Sequence, residues 1–375
     1  MSLSILMLLE GAFPAMGGAE RQVETLAGAL VTLGHRVTVV VPRFDGSQPA
    51  GHSQHGSFDV WRIAYPPIRW LGSLILMIRL AWLLVASRHR YDAIHVHIAH
   101  NMGAVASVIG RLLGKPVVIK FSGWWEQERG CLRPGASLGA ALARRMLHQA
   151  SAVQAISTRI AADLIAAGFD PARIHWLPNG VPMGRFDAVE RIPLALRTPN
   201  VVFVGRLVPE KGLDMLISAW AQAQRPSGWR LRLIGGGPLD EVLRRQAASL
   251  DVGDSIDFLG PSEQVAQELG ASDVGVLSSR FEGLSNTLLE YMASGIPVIA
   301  TRTSGSEDLV VPGRNGWLCP VDDVAALSEA LSEAMSLPAE ARIAMGQQAR
   351  ADVTAKASVS AVIDQLLPLY VGNDR

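Results

Sequence analysis

The segment Ser278–Thr301 reads SSRFEGLSNTLLEYMASGIPVIAT and predicts a loop, a helix and a buried strand in that order. The helix is expected to begin near Ser285, because serine is a favoured N-cap and apolar residues then recur at helical spacing. Pro297–Ala300 predicts the strand. Glu282 and Glu290 would flank the helix N-terminus, where N–H groups suit anions and carboxylates suit hydroxyls. A capped surface helix with two solvated acids is the alternative that spacing alone leaves open.

The same order of elements recurs in the rest of the chain. The first half predicts a strand at Ser4–Leu9, a glycine-containing loop, a helix at Ala19–Leu33 and a strand at Arg36–Val41. A second start follows at Asn200–Val204, with a helix at Leu213–Ala223. Strands that alternate with helices in this way indicate an α/β fold with doubly wound parallel sheets.

The length of the chain, 375 residues, is enough for two domains. The turn-rich segment Pro178–Pro182 is interpreted as the end of the first domain, and the residues up to Thr198 as a linker. The sequence therefore predicts a first domain over residues 1–190 and a second domain over residues 198–357.

The composition indicates a globular protein of a reducing compartment. Apolar residues make up 49% and charged residues 18%, which excludes a disordered chain. The two cysteines, Cys131 and Cys319, are far apart and lack the spacing of a zinc site or a disulfide framework. The N-terminal apolar run has no basic region before it and is interpreted as a strand, not a signal peptide. We expect a cytoplasmic protein.

Charge is distributed unevenly although the net charge is zero. Residues 1–190 contain 18 Lys and Arg against 12 Asp and Glu, and they contain all nine histidines. A basic first half beside an acidic second half fits two domains with different partners. The basic first domain would face anionic lipid or a phosphorylated acceptor. The alternative is that this charge difference between the two halves has no functional meaning. No nucleic-acid partner is predicted.

The segment Trp70–Ser87 is apolar almost all round. It is only just long enough to span a bilayer, and Arg79 in its middle makes a span costly. A helix that touches the membrane surface and an ordinary buried helix remain as the two interpretations.

Histidines and tryptophans mark the ends of two predicted strands in the first half. His95 and His97 point to the same side of a strand, but with His100 they lack the carboxylate or third well-placed histidine that metal sites need, so no metal site is predicted. The loop that begins at Ser122 contains Trp124 and its neighbouring tryptophan, which predicts either a sugar-stacking surface or packing against the next helix.

Three glycine-containing loops could approach a ligand. The loop Val204–Gly212 places Arg206 and Lys211 between a strand and a helix, a pattern suited to phosphate, although exposed loop cations are common. Gly235–Gly237 lacks the Lys-Ser/Thr of a P-loop and the spacing of a dinucleotide site, which argues against a P-loop nucleotidase and a standard dehydrogenase. Gly17 and its neighbour Gly18 would let N–H groups approach a ligand, or form a tight turn.

An ordered set of motifs resembles family 4 of the retaining nucleotide-sugar glycosyltransferases. The set consists of GRLVPEKG at 205–212, GGGP at 235–238 and FEGLSNTLLEYMASGIPVIAT at 281–301, and it continues through residues 308–323. The N-terminal half matches more loosely. The resemblance implies a GT-B fold, in which two Rossmann-like domains face each other across a cleft. The first domain would bind the acceptor and the second domain the donor. Residues 358–375 would cross back to the first domain.

The resemblance also implies roles for individual residues. Arg206 and Lys211 would bind the donor diphosphate, Glu282 the transferred sugar and Glu290 the ribose hydroxyls; Arg206, Lys211 and Glu282 would be catalytic. Further donor contacts are implied, in part through the backbone, at Gly17, Gly18, Gly260, Gly283, Leu284 and Ser285. Acceptor contacts are expected at His97, His100, Ser122 and Trp124. Ser122 departs from the family pattern, since many members have a histidine in its loop.

Cations already in place stabilise the charge that develops on a leaving diphosphate, so the reaction needs no divalent metal and no cofactor besides the nucleotide-sugar co-substrate. The predicted function is transfer of a sugar from a UDP- or GDP-sugar to a saccharide or lipid-linked acceptor in bacterial cell-envelope or exopolysaccharide synthesis, with peripheral contact to an anionic membrane. The alternatives are a GT-B epimerase, a phosphorylase or a non-catalytic nucleotide-sugar binding protein.

Overall fold

A computed structural model describes residues 2–14, 17–44, 46, 48–123, 138–189 and 197–372, without the side chains of Arg69 and Trp70. The chain divides into two compact units. Unit 1 comprises Met1–Gly180 and Val359–Arg375, and unit 2 comprises Val181–Ser358. The predicted acceptor residue Trp124 and the cysteine Cys131 lie outside the described residues.

Unit 1 is built on an eight-stranded sheet in the order β3-β4-β2-β1-β5-β6-β7-β8. Its strands are β1 Ser4–Leu8, β2 Arg36–Pro42, β3 Gly51–His55, β4 Phe58–Ile63, β5 Ala93–Val96, β6 Val117–Phe121, β7 Ala152–Ala155 and β8 Ile174–Trp176. Its first helices are α1 Gly18–Thr32, α2 Arg69–Ala86, α3 Asn101–Leu112, α4 Leu138–Leu147 and α5 Thr158–Ala166, with a 3₁₀ turn at Pro171–Arg173. Only β3 and β4 pair antiparallel among the described strands.

Unit 2 is built on a six-stranded parallel sheet in the order β11-β10-β9-β12-β13-β14. Its strands are β9 Asn200–Val204, β10 Arg230–Ile234, β11 Ile256–Gly260, β12 Val274–Leu277, β13 Val298–Thr301 and β14 Gly316–Cys319. Its helices are α6 Gly184–Asp187, α7 Leu213–Gln222, α8 Asp240–Ser249, α9 Val265–Gly270, α10 Asn286–Ala293, α11 Ser306–Leu309, α12 Val324–Ser336 and α13 Ala339–Ala357, with 3₁₀ turns at Pro209–Lys211 and Gly253–Ser255.

Five strands in the interior of the two sheets are buried along their whole length. β1, β5, β6, β12 and β13 expose no residue, as expected for parallel strands covered by helices on both faces. The predicted α/β fold with two parallel sheets is confirmed. The predicted helix after Ser285 and the strand after Pro297 correspond to α10 and β13.

The last helix, α14 Val359–Val371, belongs to unit 1. It packs against α1, β5 and β6, and Val362, Ile363 and Leu366 join the hydrophobic core there. Tyr370 contributes a hydrogen bond between its hydroxyl and His95 Nδ1 at 2.7 Å. The return of the C-terminal helix to the first part of the chain, which the resemblance implied, is confirmed.

Helix α2 corresponds to the apolar segment Trp70–Ser87, and it is buried on one face only. Leu80 and Leu84 are fully buried, whereas Ile78 and Trp82 are largely exposed. Within the part of the chain that the structure describes, no helix has the length and apolarity that crossing a membrane requires.

Candidate active site

The loops that follow β9 and β10 in unit 2 pack backbone against backbone. Gly205 N donates to the Ile234 carbonyl at 2.9 Å, and Leu207 N donates to the Gly236 carbonyl at 2.9 Å. Gly235 has a φ of +144°, and a Cβ there would overlap the Gly205 carbonyl oxygen. The close approach of the two loops therefore explains this glycine without a ligand.

Lys211 and Glu282 form an ion pair between the two predicted donor loops. Glu282 also accepts a hydrogen bond from Ser279 Oγ at 3.2 Å, and Ser278 Oγ donates to the Lys211 carbonyl at 2.8 Å. Both charged side chains are largely buried, with exposed fractions of 16% and 20%. Lys211 and Glu282 are 71 positions apart in the sequence, and the fold places their side chains in contact.

A glycine makes this contact between the loops sterically feasible. Gly212, which follows the 3₁₀ turn Pro209–Lys211, has a φ of +61°, in the left-handed region that disfavours other residues. A Cβ at this position would overlap the Ser278 carbonyl. We conclude that Gly212 is needed for the loop that carries Lys211 to lie against the loop that carries Glu282.

Arg280 clamps the same two loops together, and the sequence analysis missed it. Its guanidinium donates two hydrogen bonds of 2.8 Å to the Asp214 carboxylate and one of 2.6 Å to Asp322. It also donates to the Pro209 carbonyl at 3.1 Å. The hydrogen bond from Arg280 holds the pKa of the Asp214 carboxyl below its usual range. Arg280 looks like an ordinary loop cation in the sequence, because its partners lie far from it along the chain.

Arg206 lies in the same loop as Lys211 but differs from it in surroundings. Its side chain is exposed, and the structure assigns it no hydrogen bond or ion pair with any described residue. The loop is instead held by the backbone on either side of Arg206. A charged side chain that supports no part of the fold is available to bind an anion.

The N-terminus of α10 lies directly after the Glu282 loop. Ser285 is its N-cap in extended conformation, and its hydroxyl does not cap the helix. Leu284 and Ser285 are buried, and Gly283 is partly exposed. The predicted N-cap is thus found, and an anion near this terminus would gain the helix dipole and backbone N–H groups.

Glu290 projects from the second turn of α10 and is 9% exposed. Arg185 Nη1 lies 3.8 Å from its Oε1. Gly260 ends β11 with a φ of +73°, and its carbonyl accepts a hydrogen bond from Gly235 N at 2.8 Å. The carboxyl ends of β9, β11 and β12 thus carry the predicted donor residues of unit 2, where ligands bind in open parallel sheets.

Gly17 and Gly18 form the N-terminus of α1 in unit 1. Gly17 is the N-cap, with a φ of −80° that any residue can adopt, and Gly18 is the first helical residue. A Cβ on Gly17 would overlap the Glu20 carboxylate. The Glu20 carboxylate is the end of a flexible side chain that can move aside, so this overlap does not by itself require glycine at position 17, and the ligand role of Gly17 and Gly18 stays a prediction.

His95 and His97 lie stacked in the core of unit 1, with ring centroids 4.3 Å apart. His95 Nε2 lies 3.1 Å from Gln154 Oε1, and its Nδ1 is bonded to Tyr370. His97 is 1% exposed, and neither of its ring nitrogens has a partner among the described residues. Burial lowers the pKa of both histidines, that of His95 to about 3.

This buried pair makes stability depend on pH. Each histidine binds a proton in the unfolded chain below its ordinary pKa of about 6.5 but stays neutral in the folded protein, so the free energy of unfolding should fall as the pH is lowered from 7 to 5. Each contributes up to about 1.4 kcal/mol per pH unit. Urea denaturation of the His97→Phe variant should show a smaller loss, whereas the exposed-site control His52→Gln should behave like the wild type. Equal losses in the two variants would contradict this assignment.

His100 and Glu10 lie at the carboxyl ends of β5 and β1, which are neighbours in the sheet. His100 Nδ1 lies 2.6 Å from Glu10 Oε1, and Met102 N donates to Glu10 Oε2 at 2.8 Å. Because a carboxylate can only accept hydrogen bonds, His100 Nδ1 carries the proton of this hydrogen bond, and Glu10 fixes the orientation of the imidazole ring. The side chain of His100 is 37% exposed. Glu10 was missed from the sequence because its partner follows it by 90 residues.

The chain directions explain why these residues meet. β1 and β5 are parallel neighbours although they are separated by β2, β3 and β4 along the chain, so the order of the strands reverses between them. Ligands of open α/β sheets bind at such reversals. Ser122 follows β6, the next strand, and is partly exposed. Among the described residues, no group of three or more His, Cys, Asp or Glu side chains is arranged to hold a metal ion.

Two family models match the chain. The model described as Glycosyltransferase Family 4 matches residues 16–185, and the model described as Glycosyl transferases group 1 matches residues 186–352. A GDP-mannose-dependent α-(1-6)-phosphatidylinositol monomannoside mannosyltransferase of Mycolicibacterium smegmatis is 29% identical over 357 residues, 90% of each chain. A putative colanic acid biosynthesis glycosyltransferase of Salmonella typhimurium is 36% identical over 188 residues, 48% of this chain and 46% of the relative.

Solved structures support the same fold. Anabaena HepE in complex with UDP and glucose superposes with a TM-score of 0.75 at 21% identity, over 97% of this chain and 98% of HepE. Sucrose-phosphate synthase from Thermosynechococcus elongatus superposes with a TM-score of 0.79 at 21% identity, over 98% of both chains. At these identities the likeness concerns the fold, and it confirms the predicted GT-B class.

Proposed function

Because the chain belongs to the family 4 glycosyltransferases of group 1, we propose that it transfers a sugar from a UDP- or GDP-sugar to a saccharide or lipid-linked acceptor with retention of configuration. The observation that carries the proposal is the Lys211–Glu282 pair at the carboxyl end of the unit 2 sheet, with the exposed Arg206 in the same loop as Lys211. A loop with two cations that is paired to a carboxylate suits a ligand whose diphosphate adjoins a sugar.

The proposed roles follow from charge and position. Arg206 binds the diphosphate with its planar fork, and Lys211 adds a point charge. Glu282 accepts hydrogen bonds from the transferred sugar, and Glu290 from the ribose. Backbone groups at Gly283, Leu284, Ser285 and Gly260 complete the donor site of unit 2. Gly17 and Gly18, at the N-terminus of α1 in unit 1, are further proposed donor contacts.

The Lys211–Glu282 pair prepares both groups for the donor. Without the donor, each charge neutralises the other in partly buried surroundings, which would otherwise disfavour it. With the donor, Lys211 Nζ has three N–H bonds to share between Glu282 and a phosphate oxygen. The pair therefore holds Lys211 in position before the substrate arrives, at little reorganisation cost.

The proposed transfer breaks the bond between the sugar C1 and the β-phosphate oxygen, and it forms a bond between C1 and the acceptor oxygen on the same face. The electron pair of the broken bond leaves on the diphosphate, and the acceptor proton passes to the leaving phosphate oxygen. Arg206, Lys211 and the α10 N-terminus stabilise the charge on the diphosphate in the transition state. No divalent metal is needed in this scheme.

The proposed acceptor lies against the carboxyl edge of the unit 1 sheet, near His100 and Ser122. His100 is partly exposed there and is oriented by Glu10, whereas His97 is buried in the core of unit 1. His97 would therefore act through its position in the core and not by direct contact. We also propose a role in bacterial cell-envelope or exopolysaccharide synthesis, because the two relatives described above are named for mannosylation of a phosphatidylinositol monomannoside and for colanic acid biosynthesis.

A test of the acceptor side is the Glu10→Gln variant. We expect the KM for the acceptor to rise about 5- to 30-fold, the effect of a lost hydrogen bond of about 1–2 kcal/mol, while the KM for the donor stays unchanged. Glu24 supplies a matched control, since its carboxylate bonds His55 Nε2 at 3.2 Å on the surface of unit 1. Glu24→Gln should leave both constants unchanged. A rise in the donor KM alone would contradict the assignment of Glu10 to the acceptor side.

The experiment that tests the proposed function is a thermal-shift panel of nucleotide sugars, followed by an assay of nucleoside diphosphate release. A donor that binds the folded state raises the melting temperature by mass action. GDP-mannose is the first donor to test, because the mycobacterial relative uses it, and UDP-glucose is the second. Binding without release of nucleotide in the presence of any envelope saccharide or lipid extract would contradict the proposal of transfer.

A further inference from the structure

Helix α6, Gly184–Asp187, is a single turn of unit 2, and none of its residues was assigned a role from the sequence. Its residue Arg185 forms an ion pair with Glu290, whose carboxylate is the proposed ligand of the donor ribose. Arg185 Nη1 lies 3.8 Å from Glu290 Oε1, and the two side chains are 41% and 11% exposed. Helix α6 therefore places a cation directly beside a proposed donor ligand.

The position of α6 is fixed by contacts within unit 2. Phe186 is 4% exposed and anchors the turn. Arg350 of α13 donates a hydrogen bond of 2.8 Å to the Ala293 carbonyl at the end of α10, and its guanidinium also forms an ion pair with Asp187. Arg350 thereby joins α6 to the helix that carries Glu290. The backbone of α6 is therefore fixed relative to that helix.

The pair of Arg185 and Glu290 acts through charge and not through a direct hydrogen bond. A separation of 3.8 Å is longer than an N–H···O hydrogen bond, but it is short enough for attraction between two charges. A carboxylate that is largely buried is unfavourable unless an opposite charge compensates it, and Arg185 supplies that charge. Because this pairing uses no lone pair of the carboxylate, it does not compete with the hydrogen bonds that Glu290 would accept from hydroxyl groups.

The position of Glu290 along α10 suits the ribose of a nucleoside diphosphate. It follows the N-cap Ser285 by five residues, which corresponds to about 7.5 Å along the helix axis at 1.5 Å per residue. The proposed diphosphate site is at the N-terminus of this helix, and the ribose is attached directly to the diphosphate. A ligand bound there would extend its ribose along α10 toward the carboxylate beside which Arg185 lies.

We propose that Arg185 is a positioning residue, which keeps the Glu290 carboxylate ionised and oriented toward the ribose hydroxyls of the donor. A side chain that is held in place before the ligand arrives loses less entropy on binding, so the hydroxyls contribute more to affinity. Arg185 thereby strengthens the preference for a ribonucleotide over a nucleotide without ribose hydroxyls. This inference rests on the proposed function, because it assumes that Glu290 binds the ribose.

Calorimetric titration with ribonucleotides and their dideoxy analogues tests the proposal. The probes are GDP, UDP, 2′,3′-dideoxy-GDP and 2′,3′-dideoxy-UDP. The wild type should bind the ribonucleotide that it prefers at least about tenfold more tightly than the dideoxy analogue, because the analogue lacks the hydrogen bonds to a charged carboxylate. Arg185→Ala should raise the Kd of the ribonucleotide about fivefold, since the Glu290 side chain must then be ordered on binding, and should leave that of the analogue within about twofold. A general loss of structure would weaken the binding of both nucleotides equally.

Three further variants separate positioning from direct contact. Arg185→Lys should keep the Kd of the ribonucleotide within about twofold of the wild type, because the pair acts through charge. In a Glu290→Gln background, Arg185→Ala should change this Kd less than about twofold, because both substitutions remove the same interaction. Arg314→Ala is the matched control, since Arg314 is a 56% exposed arginine of unit 2 that pairs at 2.7 Å with the largely buried Asp352. It should leave both Kd values unchanged.

The proposal would be overturned if Arg185→Ala weakened the ribonucleotide and the dideoxy analogue equally or altered the binding of neither. Additive effects of Arg185→Ala and Glu290→Gln would also overturn it, because Arg185 would then contact the nucleotide itself. A wild type that binds both nucleotides equally well would show that Glu290 does not hold the ribose. Failure of the proposed function gives a different result, since the wild type would then bind neither GDP nor UDP, and this inference would fail with it.

Discussion

The Lys211→Ala variant should lose about 30- to 1,000-fold in turnover, equivalent to about 2–4 kcal/mol of transition-state stabilisation. The reason is the position of Lys211 Nζ, which is paired with Glu282 in largely buried surroundings. A positive charge is worth more there than in open solvent, because less water screens it. The measurement is the release of nucleoside diphosphate from the donor that the ligand panel identifies, at saturating donor.

The chain offers a matched control for this variant. Lys356 also lies in unit 2, and its Nζ donates to the Asp308 carbonyl at 3.3 Å. Lys356→Ala should keep wild-type turnover. Turnover of Lys211→Ala equal to that of the control would show that Lys211 serves only as the structural partner of Glu282, and the assignment to the diphosphate would be wrong.

The Arg206→Ala variant should lose turnover to a similar extent, about 30- to 1,000-fold, but without loss of stability. Its side chain is exposed and makes no hydrogen bond or ion pair with the described residues, so the free energy of unfolding should stay within about 0.5 kcal/mol of the wild type. This combination separates a ligand-binding arginine from a structural one. Urea denaturation and nucleotide release measure the two quantities on the same preparation.

Two further variants sharpen the test of Arg206. Arg206→Lys keeps the charge but loses the bidentate geometry, so its turnover should lie between those of Arg206→Ala and the wild type. Arg245→Ala is the matched control, because Arg245 is an exposed arginine of unit 2 whose side chain, among the described residues, donates a hydrogen bond only to the Glu241 carbonyl of its own helix. If Arg206→Ala and Arg245→Ala turn over donor equally fast, Arg206 has no part in the reaction.

Periodicity and caps were sufficient to predict the elements around the candidate donor site. The strand at Asn200–Val204 was predicted with the bounds that β9 has, and Ser285 was identified as the start of α10. Both signals are local, since a buried parallel strand is a short apolar run and an N-cap is a single residue type. Residues with such signatures can be placed without knowledge of the tertiary structure.

The contacts that hold the site together could not be predicted in the same way. Arg280 binds Asp214 and Asp322, which lie 66 and 42 residues away, and no local pattern distinguishes it from a solvated arginine. Glu10 and His100 meet only because β1 and β5 are neighbours in the sheet. Contacts between side chains that follow different strands depend on the order of the strands in the sheet, and this order was not predicted from the sequence.

The hairpin of β3 and β4 was not predicted. Gly51–His55 consists of Gly, His, Ser and Gln, which have weak strand propensity, and its pairing with Phe58–Ile63 comes from the antiparallel ladder. The loop Gly235–Gly237 was predicted as one that could approach a ligand. The structure relates Gly235 and Gly237 to close contact with the Gly205–Leu207 backbone instead.

Calorimetric titration with GDP-mannose and UDP-glucose tests most directly the claim that the loops of unit 2 bind a nucleotide sugar through Arg206 and Lys211. We expect the wild type to bind one of them, and we expect Arg206→Ala and Lys211→Ala each to raise its Kd at least about tenfold, as for a lost charge-assisted hydrogen bond. The Lys356→Ala control should bind like the wild type. Unchanged affinity in both Arg206→Ala and Lys211→Ala would contradict the assignment of these two residues to the donor.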